Sequence, residues 1–485
     1  MNRVLEGVKP ERLWYHFEEI SKIPRCSKHE DAVREYIINF AKEKGLEYKV
    51  DSIGNVVVIK PADPGYENKP TVILQGHIDM VCEKNKETKH DFSKDPIKLK
   101  VEGDWLTADG TTLGADNGIG VAAALAILED KDLKTGRIEA LFTIDEETGL
   151  TGAFNLDPSN LTGKILINLD SEEEGAIYIG CAGGRDTKFT MFATEENPTF
   201  EEVCIELKLT GLKGGHSGLN IHEGRGNAIK MAARILFELK KSVVFKIASF
   251  DAGDKHNAIP RECAVKIALN KHSVEFAKGI IDEMGKKLKD EFKIVEPDFS
   301  WEINDCKLPE TVCDLASTED MVNLLMTIPH GVLMMSAAVE GLVETSTNLA
   351  VAKLEDDVFE VLCSHRSSIA SAIDWVGDMH RAIGEAFGLE IEQDEGYPGW
   401  TPNPDSEVLK IAKESFKKVL GYEPEVKAIH AGLECGIISE KCGGLDAISF
   451  GPTIEGAHSP DERVSIKSTQ VFWDCLVELL KDINK

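Results

Sequence analysis

The chain is 485 residues long, more than one typical hydrophobic core accommodates, so it predicts two domains, and its 42% apolar content is enough to build both. With 55 Lys and Arg against 84 Asp and Glu, the formal charge is −29, and no long basic run offers a surface for nucleic acid or an anionic membrane. The opening stretch MNRVLEGVKPERLWYHF lacks the apolar core of a signal peptide, and GIGVAAALAIL is far shorter than the roughly 20 residues that cross a bilayer. Eleven cysteines are scattered singly without a C-x-x-C pair, so the expectation is reduced thiols in the cytoplasm, with neither a disulfide framework nor a zinc ribbon.

In chain order, DAVREYIINFAKEKG reads as a helix ended by Gly45, TVILQ as a buried strand, and NGIGVAAALAILEDKD as a helix of small and apolar residues suited to close packing on a sheet. IEALFTI and KILINL are two further buried strands, and the alternation predicts an α/β architecture with a central sheet flanked by helices. From residue 185 to 399 the texture changes, which predicts an inserted α+β lid domain between the two parts, 1–184 and 400–485, of a catalytic domain. Within it, CAVKIALNKHSVEFAKGIIDEMGKKL and FEVLCSHRSSIASAIDWVGDMHRAI both read as strand, turn and amphipathic helix, a weak duplication that suggests two related half-lids. The Pro- and Gly-rich GYPGWTPNPDS is a crossover, after which the chain returns to the first domain.

Five segments carry the chemistry: QGHIDMV, LGADNG, DEETG, NLDSEEEG and EGAHSPDE. They contain His77, Asp116, Glu147, Asp170 and His458, imidazoles and carboxylates that suit two borderline divalent ions such as zinc, cobalt or manganese. His77, Glu146, Glu147 and Asp170 each follow or close a predicted strand, the edge on which open α/β sheets hold their ligands, and Asp116 lies in a glycine-rich turn before a helix. His77 and Asp79 are two apart on an extended segment, so one can bind metal while the other holds the imidazole. Adjacent glutamates 146 and 147 point in different directions, which allows one to bind metal and the other to accept a proton. Taken singly, each segment has a plainer reading as a turn, a helix start or a solvated loop; taken together they supply two ligands per ion and a bridge.

At these residues the chain resembles the co-catalytic zinc metallopeptidases that include aminoacylase, carnosinase and the carboxypeptidase G type enzymes. QGHIDMVCEKN, TLGADNGIG, DEETGLTGAFNLD, HAGLECG and GAHSPDE look most like the bacterial dipeptidases of that group, over essentially the whole chain. The resemblance implies a zinc-exopeptidase-like fold, with His77 and Asp170 on one ion, Glu147 and His458 on the other, and Asp116 on both. It implies further that Glu146 is the general base and that Asp79 orients His77. In the lid domain it implies that His216 of GGHSG holds the carbonyl oxygen and that Asn257 of HNAIP and Arg366 of SHRSS grip substrate; outside the lid, it implies that Glu434 of HAGLECG receives the free α-amino group, a role in shaping the glycine turn being equally open.

The activity expected is that of a metal-dependent dipeptidase acting on unblocked dipeptides, Xaa-His among them, through a metal-bound hydroxide. Two alternatives stay open: an N-acyl amino acid amidohydrolase using the same two ions, and a catalytically idle scaffold. Relatives that bring a lid histidine across a dimer interface imply a homodimer, whereas a doubled lid leaves a monomer open.

Overall fold

The computed structural model describes residues 3–485, which divide into two compact units. One holds the residues up to 181 with 400–428 and 433–485; the other holds 182–399 together with 429–432.

The first unit begins with two helices, α1 (Glu11–Ile20) and α2 (Asp31–Lys44). Gly45 ends α2 at φ 67°, a left-handed turn that a side chain disfavours. The strands of the main sheet that follow are β1 (Glu47–Val50), β2 (Val56–Lys60), β3 (Val72–His77), β4 (Ile138–Thr143), β5 (Ile165–Asn168) and β6 (Ala176–Cys181). Every residue of β2, β3 and β4 is buried, as expected of strands covered on both faces. Helix α3 (Ala115–Glu129) is buried from Asn117 to Leu128 and packs on β3 and α1, which explains its run of alanine, glycine, valine and leucine without a polar face.

The second unit is built on one antiparallel nine-stranded sheet made by β7 (Gly183–Phe192), β8 (Glu202–Thr210), β9 (Phe245–Ala252), β10 (Cys263–Asn270), β11 (Ser300–Cys306), β12 (Gly331–Met335), β13 (Val343–Glu355), β14 (Val358–Ser367) and β15 (Glu390–Gln393). The order is β11-β8-β10-β9-β13-β14-β7-β15, with β12 paired on β13. Helices α4 (Ala228–Leu239), α5 (Val274–Phe292), α6 (Leu315–Thr327) and α7 (Ala370–Ala386) accompany it, and a single apolar core joins α4, α5 and α6 to the sheet. The two strand–turn–helix segments singled out in the sequence are β10 with α5 and β14 with α7, and both their strands belong to this one sheet.

Back in the first unit lie α8 (Glu407–Leu420), β16 (Glu425–Ile429), α9 (Glu434–Lys441), β17 (Asp446–Ser449) and α10 (Ile466–Ile483). The eight-stranded sheet has the order β1-β2-β4-β3-β5-β17-β6-β16 and is mixed: β4, β3, β5 and β17 run parallel, and β2 and β6 pair antiparallel at either side of them. Both insertions of the C-terminal segment, β17 into the sheet and α10 onto its core, bind the late part of the chain to the early one. No helix of the described residues is long and apolar enough to cross a membrane.

The cysteine expectation needs correction. Cys26 and Cys82 are joined in a disulfide, with Cα atoms 5.7 Å apart, while the other nine cysteines are free. Separated by 56 residues, this pair has no local spacing signature; the fold brings it together where Cys26 bridges to Met80 beside β3.

Candidate active site

Because β3, β4 and β5 are parallel, their carboxyl ends open on one edge of the sheet, and each delivers an acid or imidazole there. His77 is the last residue of β3, Glu146 and Glu147 follow β4, and Asp170 follows β5. Asp116 comes from the first turn of α3, where its backbone is not yet helical and its peptide bond to Asn117 is cis. His458 arrives from the loop before α10 at φ 63°, a left-handed conformation unusual for a residue with a side chain.

These residues form three overlapping groups of potential ligand atoms, His77 with Asp116 and Asp170, Asp116 with Glu147 and His458, and His77 with Glu146 and Glu147, each group within 4.8 Å. Asp116 belongs to the first two and divides its oxygens between them: Oδ1 lies 3.0 Å from His77 Nε2 and Oδ2 lies 3.1 Å from His458 Nε2. Glu147 Oε2 is 3.0 Å from His458 Nε2, and Asp170 Oδ1 is 3.4 Å from His77 Nε2. The other ring nitrogen of His77, Nδ1, donates to Asp79 Oδ1 at 3.2 Å, which leaves Nε2 directed at the acids. Asp79 is fully buried and also accepts from Ser27 Oγ at 2.8 Å and from the backbone N–H of Glu146 and Glu147 at 3.1 and 3.2 Å. Although burial opposes it, the bond with His77 and these donors hold the Asp79 carboxyl below its usual range.

The donor set fits two divalent cations. Glu147 Oε1 and Asp170 Oδ1 are buried without a hydrogen bond, an expensive arrangement for carboxylate oxygens unless a cation meets them. Charge tells the same story. Burial pushes the Glu146 carboxyl well above its ordinary value against the pull of His77, with Asp170, Glu147 and Glu434 adding to it. It likewise pushes Asp170 up to about 6, while hydrogen bonds to Asp116 and Glu147 carry His458 up to about 11. A further acidic group, Glu30 with Asp79 and Asp145, is instead occupied by hydrogen bonds: Lys28 N–H and Asp145 N–H donate to Glu30, and Thr148 and Thr151 hydroxyls donate to Asp145.

Glu434, the first residue of α9, is fully buried, with Oε2 accepting from Gln75 Nε2 at 2.5 Å and Thr143 Oγ1 at 2.7 Å, while Oε1 has no partner. Burial pushes its carboxyl up to about 7. Gln75 continues to Asn168, whose Nδ2 donates to Gln75 Oε1 at 2.5 Å. Gln75, Thr143 and Asn168 escaped the sequence reading because buried amides and hydroxyls in strands carry no ligand signature; their placement in β3, β4 and β5 at the same ends as the acids is the signal that would have found them.

A pH dependence follows. Asp170, Glu434, His77 and His458 all hold their protons more tightly in the folded chain than in the unfolded one, so the native state keeps protons that the unfolded state releases as pH rises. Below about pH 6.5 this is opposed by His216, His330, His380 and His430, which burial holds neutral in the folded chain; above it, where His77 and His458 still keep their protons, the melting temperature of the chelator-treated protein is expected to fall by several degrees between about pH 7 and about pH 9. Divalent cation replaces those protons and removes most of the fall. A melting temperature that rises over this range in the chelated protein contradicts the electrostatics described here.

The lid candidates belong to the second unit, where Ser217 joins them. Its backbone N–H donates to the carbonyl of Asn257 at 2.8 Å, and the Arg366 Nε donates to its hydroxyl at 3.4 Å. Arg366 is buried, and its Nη1 donates to Tyr397 Oη at 3.0 Å. Asn257 is exposed. His216 Nδ1 accepts the backbone N–H groups of Gly218 and Leu219, both at 3.1 Å, so its proton sits on Nε2. Burial, aided by the Arg366 and His256 cations, brings its pKa down to about 4, making His216 a neutral N–H donor at physiological pH.

The sequence pattern of peptidase family M20/M25/M40 matches residues 73–482. The chain is 41% identical over 479 residues to the cytosol non-specific dipeptidase of Escherichia coli K12, covering 99% of each protein. Its fold superposes on the crystal structure of aminoacylhistidine dipeptidase from Vibrio alginolyticus with a TM-score of 0.92 and 44% identity, covering 99% of this chain and 98% of the other. At 17% identity, aminopeptidase PepT from Bacillus cereus shares the fold, with a TM-score of 0.58 over 99% of this chain and all of the other.

Proposed function

The chain belongs to peptidase family M20/M25/M40, and from that membership we propose that it is a metal-dependent dipeptidase that hydrolyses unblocked dipeptides, Xaa-His among them, in the cytosol. The observation that carries the reading is the pair of ligand groups sharing Asp116, with the Glu146 carboxyl beside them. His77 and Asp170 would hold one divalent ion, zinc, cobalt or manganese, Glu147 and His458 the other, and Asp116 both. When bound, such ions polarise the scissile carbonyl and lower the pKa of water.

The residues of the chain do the rest. Asp79 fixes the His77 ring through Nδ1 and, through the backbone N–H groups it accepts, fixes the Glu146–Glu147 pair. Glu146 takes the proton from the attacking water and returns it to the departing amine, a task suited to a carboxyl whose pKa burial raises. In the second unit, Arg366 supplies a planar fork for the substrate carboxylate, His216 donates its Nε2–H to the carbonyl oxygen as negative charge builds, and Asn257 adds a polar contact. Glu434, recessed and with one free oxygen, receives the α-amino group.

The test is a panel of dipeptides, tripeptides and their N-acetylated forms offered to the metal-loaded protein. Free dipeptides are expected to be cleaved at least about tenfold faster than the acetylated forms, since blocking the amine removes a contact worth about 1.4 kcal/mol or more. Preferential cleavage of acetylated substrates would instead identify an amidohydrolase, and no turnover of any substrate would identify an idle scaffold.

A further inference from the structure

Three of the segments that carry the candidate ligands are cross-linked by two buried charges that play no part in the chemistry above. Glu462, four residues after His458, is 2% exposed. Its Oε2 accepts the backbone N–H groups of Leu113 at 2.7 Å and Gly114 at 2.8 Å, and its Oε1 accepts those of Ala115 at 2.7 Å and Asp116 at 3.3 Å. Helix α3 has no side-chain cap of its own, because its cap position is Gly114. The amides that a helix start leaves unpaired are met here by one carboxylate from the far end of the chain, where the helix dipole also favours negative charge. Arg25, also 2% exposed, does the converse job with carbonyls. Its Nη1 donates to Ile78 O at 3.2 Å and Asp79 O at 2.8 Å, and its Nη2 donates to Gly114 O. The glycine at 114 leaves room for that guanidinium, which a Cβ would meet, and adopts φ 71°. Arg25 thus ties the His77–Asp79 segment to the Asp116 loop, and Glu462 ties the His458 segment to the same loop.

We propose that Arg25 and Glu462 are positioning residues that assemble the ligand geometry before any ion arrives. The inference rests on the reading of His77, Asp116 and His458 as ligands and goes beyond it: the repulsion among the acids is resisted by a preformed backbone clamp, so the ions enter a built site and do not have to fold one. Removing either clamp residue lets a ligand-bearing loop relax and lowers affinity while the ligands themselves remain, as loss of the groups that orient metal ligands commonly does by about 10- to 100-fold.

Two measurements test it, the first without any substitution. Amide hydrogen exchange on the chelated wild-type protein is expected to find Leu113–Asp116 protected; exchange at the rate of an open loop would overturn the clamp. Second, calorimetric titration of zinc or cobalt into chelated Glu462→Gln, Glu462→Asp and Arg25→Lys, each checked for folding by circular dichroism, is expected to show at least about tenfold weaker binding of one ion or more. Asp, which keeps the charge but is one methylene shorter, should lie between Gln and wild type, and the visible spectrum of bound cobalt should change in the variants. Folded variants with wild-type affinity and spectrum refute the proposal. Should Glu462→Gln not fold, Glu462→Asp and the exchange result decide. Failure of the functional reading looks different: wild-type protein that binds no divalent ion refutes the ligand assignment, whatever the four amides do.

Discussion

Replacing Glu146 with glutamine is expected to lower kcat by about a thousandfold while the protein keeps both ions. Glutamine has the same shape but cannot accept a proton, and a general base contributes typically about 10²- to 10⁴-fold. The two effects separate because Glu146 and its neighbour Glu147 have different work. Both backbone N–H groups are pinned to Asp79, at 3.1 and 3.2 Å, and both carboxylates lie near His77, but only Glu147 also lies in the group with Asp116 and His458. Glu146 is the carboxyl that burial lifts well above its ordinary range, the direction a base working near neutral pH needs. Steady-state kinetics on a free dipeptide, with metal content of the same sample measured by mass spectrometry, decides the matter. A loss of kcat below about tenfold, or a loss that tracks missing metal, removes Glu146 from the role.

Asp116→Ala is expected to do something different and larger, abolishing both metal retention and activity together. Each carboxylate oxygen of Asp116 faces one of the two imidazoles, His77 across Oδ1 and His458 across Oδ2, so alanine removes a ligand from both groups at once. Each ion contributes several kcal/mol to transition-state stabilisation, so kcat/KM should fall by about 10³-fold or more. His458→Ala removes a ligand from one group only and leaves His77, Asp116 and Asp170 intact. Under conditions that saturate the wild type, it should retain about one ion where Asp116→Ala retains almost none. Equal metal loss in the two variants would show that Asp116 does not bridge.

The candidate cation ligands were legible because the chemistry restricts them to a few types and the sheet restricts them to a few places. An imidazole or carboxylate just past a buried strand is visible in TVILQGH, IEALFTIDEE and KILINLD before any coordinates, and the strands that place them are buried and parallel. The fold class was legible for the same reason, since strand and helix patterns alternate through the first third of the chain. Arg366 was legible as an arginine suited to a carboxylate, but its burial was not, because burial depends on Tyr397 and Ser217 arriving from elsewhere.

Residue type and local pattern therefore determined the candidate ligands, the proposed general base and the strands that present them. Only the tertiary structure decided the Cys26–Cys82 pairing, the polar chain from Glu434 through Gln75 to Asn168, and the use of Arg25 and Glu462 as clamps on backbone carbonyls and amides. The physical reason is common to all three. A metal selects its partners by side-chain chemistry, which a sequence displays, whereas a disulfide needs only proximity, a side-chain amide in a buried strand bonds whatever polar group it meets, and a backbone amide is the same group at almost every position, so those partners are chosen by where the chain folds.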